Sequence, residues 1–203
     1  MPVNALLKKL KSQRSWIIDL ALLGAILSLF YAFCLGSYPL FTPDEGRYSE
    51  VAREMVATGD YITPRVNGVI FLDKPILYYW LQATAINLFG LNEWALRFFP
   101  ALFGVFGCLM SYACGRKLFN RRTGIVAAVI LGATPLYFAS AHYANLDLEV
   151  AVWISCTLLS FITAVRNPAR PQASWLFATY IFAALAFLTK GLIGFAFPHH
   201  DYW

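Results

Sequence analysis

The chain has 203 residues, of which 59% are hydrophobic and 13% charged, and its mean hydropathy is +0.58. That is more apolar surface than a water-soluble domain of this length can hide in one core, so a bilayer must solvate much of it. The formal charge of +5 does not point to nucleic acid, because the basic residues fall in three short clusters between apolar runs and no DNA- or RNA-binding motif accompanies them.

Lys8, Lys9, Lys11 and Arg14 precede an apolar stretch from Trp16 to Gly36. It is about 20 residues long and no small-residue cleavage site follows, so it reads as a retained signal-anchor helix, the first span, over 16–38. In the polar segment that follows, Thr42-Pro43-Asp44-Glu45 opens a helix, with Thr42 as N-cap, Pro43 at the first helical position and Glu45 closing a capping box. Tyr48, Val51, Ala52, Met55 and Val56 recur on one face, Arg47, Glu50, Arg53 and Glu54 fall mainly elsewhere, and Gly59 ends the helix, which is expected to lie flat on the membrane. Acids in a first turn are favoured by the helix dipole, which accounts for many such pairs. Asp44 and Glu45, however, sit a few residues past the end of a span, where an ionisable group is a functional candidate.

Residues 68–75 lead into a second apolar segment, 76–90. Within them Lys74 either snorkels or pairs with Asp73, and a lysine is also a suitable point charge for a phosphate. Segment 76–90 has 15 residues and carries Gln82 and Asn87, short of the roughly 20 a span needs. Charge parity gives an independent test. With 76–90 kept outside, the inner pieces are the N-terminal tail, the loop Arg116–Arg122 and the loop Arg166–Arg170, which hold ten Lys/Arg and no acid. If 76–90 spans instead, the basic 116–122 loop lands outside, against the rule that Lys and Arg collect in short cytoplasmic loops. The segment is therefore an amphipathic helix at the outer face, with Tyr78, Tyr79 and Trp80 at headgroup depth.

Four more spans follow, over 95–115, 123–141, 147–165 and 174–190, giving N-terminus in, five crossings and C-terminus out. Cys34, Cys108, Cys114 and Cys156 lie inside apolar runs without ligand or disulfide spacing and read as small buried hydrophobes. Between the third and fourth spans, Asn145 or Asp147 can cap the next helix. Glu149, two residues into an apolar run, is costly unless it faces protein or water. His142 stands alone, which favours ordinary hydrogen bonding over a metal role. Pro168 and Pro171 mark a tight inner turn. Lys190, at the outer end of the fifth span, is either an interfacial anchor or a second base for the same outer cavity.

Taken in order, Pro43-Asp44-Glu45-Gly46-Arg47-Tyr48, Arg53-Glu54-Met55, Gly59-Asp60-Tyr61, Asp73-Lys74-Pro75, Tyr79-Trp80, Arg97-Phe98, Asn145-Leu146-Asp147 and Leu188-Thr189-Lys190-Gly191 resemble the N-terminal half of the aminoarabinose transferase and protein mannosyltransferase group. Each motif is weak alone, but their order and spacing are jointly specific, and the likeness runs to about Phe197. These are polytopic glycosyltransferases of the GT-C fold that use a polyprenyl-phosphate sugar as donor. The resemblance implies an all-α transmembrane bundle of about five spans with two amphipathic helices on the outer face, residues 1–197 forming the N-terminal part of that domain and 39–94 its first outer loop. It also implies sugar transfer to a lipid, such as lipid A, or to a protein acceptor at the outer face of a bacterial inner membrane.

By the same resemblance, Asp44 matches the acidic residue at the catalytic centre, which orients or deprotonates the acceptor, and Asp147 matches the second acidic motif. Arg47 and Lys74 match positions that hold the donor's phosphate, and Lys190 a late basic position. Tyr48 matches a site-lining position; Glu45, Asp73 and Glu149 line or support the site. Asp73 stands where some relatives carry a metal-linked Glu, but the sequence supplies no clear ligand set for a divalent metal and no certain cofactor. Residues 198–203 are polar and aromatic where another hydrophobic run is expected, and read as the mark of a truncated frame; His199 and His200 there look like a metal pair but are read as incidental. The rival reading is a non-catalytic membrane component for binding or transport. A transporter would gather its polar residues around broken helices at the midplane, whereas here they collect at the outer surface.

Overall fold

The computed structural model describes residues 3–166 and 172–191, with side chains from Ser15 onward. The inner turn expected at Pro168 and Pro171, and the tail with His199 and His200, lie outside the described residues. Eight helices occur among them: α1 Val3–Ala32, α2 Asp44–Thr58, α3 Leu77–Phe89, α4 Glu93–Leu118, α5 Arg121–Ala133, α6 Pro135–Ala141, α7 Asp147–Val165 and α8 Ala173–Lys190. The protein is an all-α polytopic membrane bundle. Four helices are long and apolar enough to cross: Ser15–Ala32 within α1, then α4, α7 and α8.

The expected span over 123–141 is not one rod. It is α5 and α6, bent by 67° between Ala133 and Pro135. Thr134 adopts an extended conformation (φ −66°, ψ 123°), as the residue before a proline prefers, and Pro135 then starts α6, where its missing N–H costs nothing. Side-chain caps fix two other helix starts. Asn92 accepts from Ala95 N–H at 2.8 Å and Asn120 from Thr123 N–H at 3.0 Å. Between α4 and α5 the backbones nearly touch. A Cβ on Gly124 would lie 2.6 Å from the Tyr112 carbonyl oxygen and 2.8 Å from the Arg116 nitrogen, so only glycine permits this approach.

The bundle core centres on Tyr31, whose ring is buried and whose hydroxyl donates to the Gly132 carbonyl at 3.0 Å. Leu27, Phe103, Cys108, Val152 and Cys156 surround it. Three of the four cysteines are thus buried hydrophobes as expected, but Cys34 is exposed. It sits beyond the end of α1 in the left-handed region, at φ 56°.

Arg116, Lys117, Arg121 and Arg166 gather at one end of the bundle, where Asp19 of α1 binds Arg116 and Arg121, each at 2.6 Å, and accepts from the Tyr112 hydroxyl at 2.7 Å. The acid that balances this basic end therefore comes from inside the first span, which satisfies an otherwise costly intramembrane charge. At the other end lie α2, α3, the start of α7 and the end of α8.

Two features of the segment before α3 depart from expectation. Arg65–Val66 and Val69–Ile70 pair as an antiparallel hairpin, β1 and β2, with Arg65 opposite Ile70 and Val66 opposite Val69. Its two loop residues, Asn67 (φ 52°) and Gly68 (φ 78°), both occupy the left-handed region, as the tight turn demands. Glu54, expected on the polar face of α2, is buried and takes Gly68 N–H on both carboxylate oxygens, at 3.1 and 3.2 Å, pinning the hairpin to the helix. The apolar stripe of α2 does not face outward either. Val51, Ala52 and Met55 are buried against Tyr78, Tyr79, Ala83 and Ile86 of α3, because protein on that side removes more apolar surface than an interface would.

Candidate functional site

α2 starts at Asp44 without a side-chain cap; Pro43 is its N-cap residue. The expected capping box with Thr42 is absent because Glu45 is engaged elsewhere. Its carboxylate is fully buried. Oε2 accepts from Phe41 N–H at 2.7 Å and from Arg97 at 2.8 Å, and Oε1 accepts from Ala144 N–H at 2.6 Å and from Arg97 Nε at 2.9 Å. Glu45 therefore supports the site from within rather than lining it. Arg97, also fully buried, donates in addition to the carbonyls of Leu35, Tyr38 and Pro39 at 3.4, 2.8 and 3.1 Å, and its guanidinium stacks 3.9 Å from the centre of the Tyr38 ring. A buried ion pair is tolerable when its remaining donors and acceptors are satisfied, as these are.

Burial alone would raise the pKa of Glu45, but Arg97 and the two N–H groups outweigh it and hold the carboxyl below the ordinary value of 4.5. A depressed folded value means that this group adds stability above about pH 4.5 and that the contribution is lost as the pH falls through the folded value. Acid unfolding followed by circular dichroism should show that loss below pH 4.5, and Glu45→Gln should flatten this part of the curve.

The Tyr48 phenol is under the electrostatic influence of charged groups from distant stretches of the chain. Tyr48, half-buried on α2, has its phenol pushed up in pKa by burial; Lys74 opposes that rise, and Asp44, Asp73 and Asp147 add to it. The Tyr143 phenol is likewise raised by burial and then by Asp44, Glu45, Tyr48 and Asp147. Arg47 acts on the neighbouring Tyr79 phenol, as does Asp73. Lys74 pairs with Asp73 at 3.0 Å, which settles one of its two readings in favour of the pair. Lys190 donates to Asp147, joining the end of α8 to the start of α7. A side chain built on Gly191 would come within 3.8 Å of Pro75, so the end of α8 abuts the 73–75 segment. Asn145 supplies the turn that presents Asp147, its Oδ1 accepting Asp147 N–H at 2.9 Å.

Below this layer are aromatic rings and a second acid. Tyr78 and Tyr79 are 1% and 0% exposed, which corrects their expected headgroup position. They pack at 6.1 and 6.3 Å from the Tyr48 ring and form the floor of the site. Trp80 alone of the three faces outward, with Nε1–H donating to the Tyr61 carbonyl at 2.6 Å. Glu149 is buried within the protein. Its Oε1 accepts from Trp153 Nε1 at 3.3 Å and Thr189 Oγ1 at 3.2 Å, linking α7 to α8 beneath Asp147 and Lys190.

Next to the charged layer, between the end of α1 and α6, is an open cavity of about 870 Å³ with walls including Phe33, Phe41, Phe138 and Ala139; Asp147 is on its rim. Among the described residues no group of three or more His, Cys, Asp or Glu could hold a metal ion. His142 has both ring nitrogens on main-chain carbonyls, Nδ1 at 3.0 Å from Phe138 O and Nε2 at 3.2 Å from Phe33 O. Tyr143 and the structural role of Arg97 escaped sequence reasoning. For Arg97 a signal existed, since a charged residue near the start of an apolar run needs a partner by default.

The sequence profile described as dolichyl-phosphate-mannose-protein mannosyltransferase matches residues 73–200. Over 178 residues the chain is 33% identical to the undecaprenyl phosphate-alpha-4-amino-4-deoxy-L-arabinose arabinosyl transferase of Aeromonas salmonicida, covering 84% of this chain and 31% of that protein. It is 34% identical over 179 residues to the second such transferase of Sodalis glossinidius, covering 87% and 32%. The fold superimposes on the crystal structure of ArnT from Cupriavidus metallidurans bound to undecaprenyl phosphate with a TM-score of 0.79 and 32% identity, over 91% of this chain and 34% of that one. The chain thus spans about a third of the length of the relatives it matches.

Proposed function

Because the chain belongs to the dolichyl-phosphate-mannose-protein mannosyltransferase family, we propose that it forms the N-terminal part of a GT-C glycosyltransferase. The reaction moves a sugar from a polyprenyl-phosphate donor to a lipid or protein acceptor at the outer face of a bacterial inner membrane. The observation that carries this reading is that the Lys190–Asp147 pair, at the end of α8 and the start of α7, lies against the 73–75 segment that carries the Lys74–Asp73 pair. Bases and acids from three separate stretches of chain meet there, which an anionic leaving group and a protic acceptor both require. The relatives' names, which specify undecaprenyl phosphate as carrier, support the donor class.

In this mechanism Asp44 takes the proton of the acceptor hydroxyl as its oxygen forms a bond to the anomeric carbon. The bond from that carbon to the lipid phosphate breaks, and the electron pair leaves with the phosphate. Lys74 and Arg47 stabilise the charge that develops there, and Lys190 contributes through the rim it shares with Asp147. Tyr48 lines the space between the two groups. Asp147 orients the acceptor, with Asp73 holding Lys74 in place and Glu149 joining the helices that carry Asp147 and Lys190. Residues 1–197 form one such unit, with 39–94 as its outer loop.

Proteoliposomes containing the chain, given a polyprenyl-phosphate sugar labelled in the sugar and a lipid acceptor, test the proposal. Label should move to the acceptor, and free polyprenyl phosphate should appear in equal amount. Retention of the label on the donor, in a preparation that binds the donor, would count against transfer by this chain.

A further inference from the structure

Asp44 and Asp147 come from opposite ends of a single hydrogen-bonded path. Glu45 directly follows Asp44. Its Oε1 accepts Ala144 N–H at 2.6 Å, a contact between residues 99 apart in sequence. Ala144 is followed by Asn145, whose side chain accepts Asp147 N–H at 2.9 Å. Every link is covalent or a hydrogen bond, the long-range one from Glu45 to Ala144 being buried and the local one from Asn145 to Asp147 exposed.

We propose that the buried Glu45–Arg97 pair is a positioning device that sets the separation of Asp44 from Asp147. This rests on the sugar-transfer reading for its kinetic consequence, but not for its structural one. Arg97 anchors the device. Its planar fork engages both oxygens of Glu45 and, with Nη1 and Nη2, the carbonyls of the loop that leaves α1. Glu45 therefore has one orientation available, with Oε1 aimed at Ala144. The two residues touch no open face of the site, so neither is a catalytic residue; both act through their neighbours. A lysine in place of Arg97 would keep the charge and lose the fork. An aspartate in place of Glu45 would keep the ion pair and, one methylene shorter, could not reach Arg97 and Ala144 N–H together.

The test uses the full chain, with the exposed Cys34 replaced by serine and spin labels on cysteines at Ala57 of α2 and Ala139 of α6. In the parent the distance distribution between the labels should be narrow. In Glu45→Asp it should broaden or shift while the helical content and the monodisperse elution are kept. In the same folded material kcat should fall at least about tenfold with the donor KM changed by less than about twofold, because misplacing a group by about an ångström can cost a hundredfold. Arg97→Lys should fall between parent and Glu45→Asp. If Glu45→Asp does not fold, Glu45→Gln takes its place with the same two readouts. A purely structural role predicts wild-type kcat per folded molecule, and that result, or an unchanged narrow distribution, overturns the proposal. If the parent itself transfers no sugar, the functional reading fails, and the label distances still decide whether the pair sets the geometry.

Discussion

If the proposed transfer holds, Asp44→Asn is expected to lower it by a factor of about 10² to 10⁴, the usual contribution of a positioned general base. That factor corresponds to about 2.7 to 5.4 kcal/mol of barrier. Asp44 also sits in the first turn of α2, where an acid interacting with the helix dipole is worth only about 0.3 to 1 kcal/mol. The two explanations for this residue therefore differ by several-fold in energy and in the quantity they change. A base lowers kcat and leaves the folded fraction alone; a dipole partner trims stability and leaves kcat per folded molecule alone. Asparagine keeps the shape, and the neighbouring Glu45, bound to Arg97 and Ala144, continues to hold the start of α2 in place. Steady-state transfer rates, normalised to folded protein by size-exclusion elution, check the prediction.

On the same proposal, Lys74→Met is expected to lower transfer by about 10² to 10³, as removal of one preorganised group facing a developing charge commonly does. The loss should appear mainly when the leaving group is a lipid phosphate, whose developing charge is what the lysine is proposed to stabilise. Stability should change little. The Lys74–Asp73 pair has side-chain exposures of 24% and 48%, and a pair open to solvent to that degree is worth about 0 to 1 kcal/mol. Lys74→Arg should recover part of the rate, because the charge is kept but the compact ammonium is replaced by a planar fork. Titration of donor binding by tryptophan fluorescence, alongside the rates, separates lost affinity from lost catalysis.

Much of the fold was legible because bilayer spans obey simple rules of length, apolarity and charge. The four long crossings fall where those rules put them, and Arg116, Arg121 and Arg166, at the ends of α4, α5 and α7, share one end of the bundle. Gly59 ends α2 as expected, with φ 74°. Local chemistry that was present but unread explains two departures. Asn67-Gly68 is a strong hairpin signal between two short β-prone pairs, and Thr134-Pro135 marks the bend in the third crossing; counts of apolar residues register neither. Other departures were not legible in principle. The orientation of Tyr78 and Tyr79 depends on α2 covering α3, and Glu45 left its local cap for a partner at Arg97 in another helix. Such choices are made by long-range contacts, which a one-dimensional pattern does not contain.

The candidate site shows the same division. Residue type and position single out Asp44, Lys74, Asp147 and Lys190 as candidates, and the roles expected of them and of Arg47 come from the family resemblance. What the one-dimensional pattern lacks is tertiary: the Lys190–Asp147 pair, the approach of Gly191 to Pro75 and the tie from Glu45 to Ala144.

Cysteine accessibility at two positions tests the convergence most directly. With Cys34 replaced by serine, Lys74→Cys and Lys190→Cys are each treated with a membrane-impermeant maleimide on right-side-out vesicles, with and without undecaprenyl phosphate. Both cysteines should react from the outer side, and the lipid phosphate should protect both. Reaction from opposite sides of the membrane, or protection of neither, would contradict a shared site.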